Sequence, residues 1–197
     1  LKVPLPERVY DIVRNAEWAE ARVTFGGRLD SFRAVGNVAT GAGDISADVT
    51  IGKNRESRYD MKGVVRSANL NLGELLDIES LHRLSSELLT NGSVGSAATG
   101  GVIGDVSMSV SGLEFGDYRY SNIEGRGNIA GGRYYAEVVS EDENLDFDLF
   151  ASIDRDVEEP TYAFSLSLER ADLNALGINR RDTTSVLSAN VGVEMRG

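Results

Sequence analysis

Leu145-Asp146-Phe147-Asp148-Leu149-Phe150-Ala151-Ser152-Ile153-Asp154 decides the fold. Leu145, Phe147, Leu149, Ala151 and Ile153 alternate with residues that are mostly polar, at the period of two that sends successive side chains to opposite faces of a strand. The pattern recurs outward in both directions. Ile45, Ala47, Val49 and Ile51 alternate with Ser46, Asp48 and Thr50, and Val106, Met108 and Val110 alternate with serines. Downstream, Tyr162, Phe164, Leu166 and Leu168 repeat it, followed by Leu187, Ala189, Val191, Val193 and Met195. Weaker alternation over 21–25, 31–40, 58–68, 118–130 and 133–140 adds further strands. About ten strands with short links predict a mainly β chain, an antiparallel meander with one apolar and one polar face.

The links agree with this reading. Gly26-Gly27, Gly41-Ala42-Gly43, Gly52-Lys53-Asn54 and Gly131-Gly132 predict hairpin reversals. Glycine is 22 of 197 residues and no proline falls between Pro6 and Pro160, as suits long strands and tight turns. Two departures from strand are predicted. Pro6, with Val9, Ile12, Val13 and Ala16 at helical spacing, gives an N-terminal helical segment over 1–20. Leu72, Leu75, Leu76, Leu81, Leu84 and Leu88 read as a short helical insert. Residues 91–104, rich in Gly, Ser and Ala, read as a flexible loop. Residues 21–197 then form a single elongated β domain, within which 59–71 resembles 162–174 at an offset of 103.

Composition narrows the chemistry. With 20 Lys+Arg against 31 Asp+Glu the net charge is −11, which repels phosphate backbones and argues against nucleic acid as a partner. There is no cysteine and one histidine, His82, so thiol catalysis, disulfides and zinc–thiolate sites are excluded. No apolar run is long enough to cross a bilayer as a helix. The start at Leu1-Lys2-Val3-Pro4 has neither an initiator Met nor a leader, and the expectation is a piece of a longer protein.

Motifs with chemical content are weak. Gly125-Arg126-Gly127-Asn128-Ile129-Ala130 fits the dinucleotide spacing, but Gly131-Gly132 and another strand follow it where a helix would be required. No G-x-S-x-G elbow surrounds any serine, and His82 reads as a surface or helix-end residue. The acidic stretches Glu141-Asp142-Glu143-Asn144 and Asp154-Arg155-Asp156-Val157-Glu158-Glu159 lack calcium-loop spacing and read as solvated turns. No catalytic constellation emerges, so the chain is expected not to be an enzyme and to carry no cofactor or metal.

Several segments resemble the TamB/AsmA-like family of diderm bacterial envelope proteins. They are Phe32 to Thr40 leading into Gly43 to Val49, Tyr118 to Gly127, Tyr134 to Ser140 continuing to Asp154, and the repeated Ala68-Asn69-Leu70-Asn71 and Ala171-Asp172-Leu173-Asn174. The resemblance implies a sheet curled into a U-shaped groove (a β-taco) or open half-barrel, in the periplasmic part of a protein anchored in the inner membrane by a helix outside this chain. It also implies phospholipid transport between the two membranes, and outer-membrane protein assembly with a barrel partner reached through the intact protein. Membrane contact would come only through regions outside this chain. The helical insert marks a variant repeat.

The alternation supplies the candidate groove lining for phospholipid acyl chains: Ile45, Val49, Ile51, Val106, Met108, Val110, Leu145, Phe147, Leu149, Ile153, Phe164, Leu166 and Leu168. The alternative is a closed-core structural or assembly scaffold that meets partners through its sheet edges.

Overall fold

The computed structural model describes residues 18–28, 30–95 and 101–197. Strands make up 72% of these, in one antiparallel sheet that does not close. The order is β1 (Ala19–Arg28), β2 (Ser31–Thr40), β3 (Gly43–Lys53), β4 (Tyr59–Asn71), helix α1 (Leu72–Leu76), β5 (Leu81–Val94) and β6 (Val102–Phe115). Then come β7 (Tyr118–Tyr120), β8 (Ile123–Ala130), β9 (Arg133–Asp142), β10 (Leu145–Asp154), β11 (Thr161–Asp172) and β12 (Val186–Arg196). Each strand pairs with the next, except that the short β7 pairs only with β6, which also pairs with β8. Strands β1 and β12 are the two edges.

Several sequence expectations are corrected. The insert is helical only over Leu72–Leu76, because Leu81, Leu84 and Leu88 belong to β5. Pairing with β4 and β6 overrides the helical spacing of those leucines. Residues 91–94 and 102–104, expected in a loop, extend β5 and β6. The first reversal falls after Arg28, so Gly26 and Gly27 remain inside β1. Of the segment expected to be helical, Ala19 and Glu20 lie in β1 and Trp18 precedes it outside any helix, while 1–17 fall outside the described residues.

The two ends of the strands differ. At one end lie the β2–β3 turn, α1, β7, the β9–β10 turn and the segment 173–185. All the register shifts are there too, between Ser67 and Leu70, Leu81 and Leu84, Ser85 and Ser86, Asp146 and Phe147, and Leu168 and Ala171. Such bulges bend the strand and raise its local twist. Burial concentrates at this capped end: Ala42, Leu70 and Leu75 form the core cluster with Ile45 and Leu72 against it, and Val110, Ser140, Asp142, Ala171 and Leu176 are buried nearby. At the opposite, open end Arg58 is buried. Its guanidinium donates to Ser93 Oγ at 2.7 Å and to the carbonyls of Ser93 and Gly101, tying the β3–β4 and β5–β6 connections together.

Candidate functional site

The register sorts every strand residue onto one of two faces. One row across the sheet reads Ala21, Val38, Ile45, Ser67, Ser86, Val110, Ile123, Ser140, Phe147, Leu168 and Ala189. The next row towards the open end runs from Val23 through Ala47, Leu88, Met108, Leu149 and Leu166 to Val191. A third holds Val49, Val106 and Phe164, and a fourth Ile51 and Ile153. All thirteen residues read from the sequence as groove lining therefore share one face, with Leu145 at its capped edge. Within the four rows only Ser67, Ser86, Thr90 and Ser140 break the run of apolar and glycine residues and tyrosines. Ser67 and Ser86 satisfy each other at 3.0 Å, and Ser140 Oγ donates to the Leu145 carbonyl at 2.7 Å.

Among the described residues no second layer covers this face. Its exposure rises from the capped end to the open end, as β6 shows: Val110 is 4% exposed, Met108 37% and Val102 50%. Phe25, Tyr59, Val94 and Met195 at the open end are likewise exposed. A small hollow of about 110 Å³ lies there between Met61, Val94, Val102 and Ile129. Sequence reasoning missed Leu88, which it placed on a helix, and Val65, Ile123 and Val138, whose strands alternate weakly; cross-strand register is the signal that finds them.

The capped end is held by a polar network that the sequence presents as a solvated turn. Asp142 is buried. Its carboxylate accepts from Tyr118 Oη at 2.5 Å, Ser121 N at 2.8 Å, Ser121 Oγ at 2.9 Å and Asn144 N at 3.0 Å. Burial pushes the Asp142 carboxyl up, but these donors outweigh it and hold it below the ordinary carboxylate range. Burial, with the hydrogen bond to Asp142, raises the Tyr118 phenol. Arg180, from the segment after β11, pairs with Asp117 in the β6–β7 turn.

The opposite face is polar and carries cross-strand ion pairs. Arg33 meets Asp48 through two hydrogen bonds, Nε to Oδ1 at 2.7 Å and Nη2 to Oδ2 at 2.5 Å. That contact raises the guanidinium and lowers the carboxyl. Arg66 meets Glu87 at 2.6 Å, and Arg133 meets Asp154 at 3.2 Å. A hollow of about 850 Å³ lies on this face between β2 and β9, and a second of about 600 Å³ continues it to β12. The two share Tyr135 and Glu137. His82 is exposed on β5, and among the described residues no group of His, Asp and Glu could hold a metal ion.

Fold and faces define a class: an open antiparallel sheet with one apolar face that no second layer covers among the described residues. Comparison with family models, with curated proteins and with solved structures gives no match to this chain.

Proposed function

We propose that the apolar face holds the acyl chains of phospholipids. On this reading the chain is a non-enzymatic, periplasmic segment of a TamB/AsmA-like envelope protein serving lipid transport between the membranes or outer-membrane protein assembly, its sheet curled around the bound chains. The observation that carries the reading is the predominantly apolar face, four rows deep across eleven strands and uncovered among the described residues. An exposed apolar surface of that extent marks a binding surface. Each methylene buried on it contributes about 0.8 kcal/mol, so retention needs no specific polar ligand. The capped end gives such a ligand a stop, and exposure at the open end gives it access.

Mass spectrometry of an organic extract of the purified chain, beside a mock purification, tests the reading. Stoichiometric phospholipid or fatty acid is expected, and Phe147→Asp should remove it while leaving the strand content unchanged. A lipid-free extract, or an undiminished load on the folded variant, would overturn the assignment. The scaffold alternative draws support from the two edges, β1 and β12, neither of which has an outer partner among the described residues. Its closed core is not found among the described residues.

A further inference from the structure

The polar face has features that ion pairs alone do not explain. Val64 on β4 pairs in register with Leu89 on β5, and both lie on this face; Leu89 is exposed. They border the 850 Å³ hollow. Beside them runs a row of hydrogen-bonding side chains across adjacent strands: Lys62, Asn91, Asp105, Asn128 and Tyr135. Several are held in place before any ligand arrives. Asn128 Nδ2 donates to Asp105 Oδ1 at 2.7 Å, and Tyr135 Oη donates to Glu137 Oε2 at 2.6 Å. The Tyr135 ring is fixed edge-on against Phe150, with centroids 5.4 Å apart.

We propose that this trough binds a neutral, extended glycan lying across the strands. Three observations select that chemistry. The charges in the trough balance, Arg33, Lys62 and Arg126 against Asp48, Asp105 and Glu137, so it favours neither a polyanion nor a polycation. Planar amide, carboxylate and guanidinium groups beside a partly exposed tyrosine and an apolar floor match a sugar, which offers hydroxyls at its rim and C–H groups on its faces. The hydrogen-bonding row advances by one strand, about 4.8 Å, per position, close to the step of one residue in an extended β-linked glycan. Preorganised side chains reduce the ordering cost of such a weakly apolar ligand. The site lies on the face opposite the lipid-binding one, so either reading can fail without the other.

Native affinity electrophoresis of the chain in gels containing hydroxyethylcellulose, β-glucan or galactomannan tests it. Retardation in at least one gel is expected, weakened about tenfold in affinity by Tyr135→Ala and by Asn128→Ala, with unchanged far-UV circular dichroism. His82→Ala, remote from the trough, should migrate as the parent does. No retardation in any of the three gels would overturn the proposal. So would retardation that neither folded variant weakens, or binding of an extended neutral peptide with no response to glycan.

Discussion

Asp142 shows how a single residue can be misjudged from sequence. Within Glu141-Asp142-Glu143-Asn144 all the acidic side chains read as solvated, yet Asp142 is buried and accepts four hydrogen bonds. Only Asn144 N is a local donor; the other three, from Tyr118 and Ser121, come from outside its own turn. A carboxyl held low in the folded state binds its proton more readily once unfolded, at about pH 3.9. Its stabilisation is therefore present above that pH and lost as pH falls through the folded value. Asp142→Asn should lower stability at pH 7 by about 1–3 kcal/mol and flatten the acid limb, as read from urea midpoints between pH 7 and pH 3. A parallel acid limb in the variant would show that other carboxylates set it.

At the scale of elements, the strands were legible wherever alternation was strong. β3, β6, β10, β11 and β12 follow from their own residues, and β2 has the bounds the sequence predicts. What failed was the choice between helix and strand for Leu72–Leu88. Leucine spacing suits both periods over so short a run, and pairing with two neighbours decides it for β5. The helical part survives only where a cap and a bend favour it. Asn71 Oδ1 accepts from Glu74 N at 3.2 Å, and Ile78 N closes the other end on the Gly73 carbonyl at 2.9 Å.

The end of β11 is built the same way. Asp172 Oδ1 accepts from Asn174 N and Ala175 N, and four residues on, Leu176 is buried as Leu75 is four residues after Asn71. The corners thus correspond at an offset of 101, as do the bulges before them, Ser67 to Leu70 and Leu168 to Ala171, whereas the sequence similarity aligns at 103. A Cβ on Gly73 would lie 1.6 Å from the Leu81 carbonyl oxygen, so Gly73→Ala must displace α1. Leu75→Ala should cost about 2–3 kcal/mol, and Gly73→Ala at least as much, in equilibrium unfolding. Both variants should leave the open end's amide protection unchanged.

For the whole molecule, the sequence conveyed a two-faced sheet but not its layering. Alternation reports which residues share a face and is silent on what, if anything, covers it. The thirteen candidate residues do share a face, while the polar trough and the difference between strand ends arise from register and bulges that no single strand encodes. The edges also emerge only at this scale. The outer strand β12 runs Val186–Arg196 without proline and with charge only at Glu194 and Arg196, the composition of an unguarded edge. Val191→Lys should reduce self-association at high protein concentration, measured by light scattering. An unchanged second virial coefficient would direct attention to β1.

The sheet order has a mechanical consequence. Substantial packing follows sequence neighbours from one edge to the other, and the start of β1 and the finish of β12 lie at opposite edges and opposite strand ends. Tension applied between Ala19 and Arg196 would load the ladders in peel, breaking one outermost strand's bonds while the interior stays intact. The chain would pay out hairpin by hairpin at low force, a tether that lengthens under strain and rewinds when the pull is released.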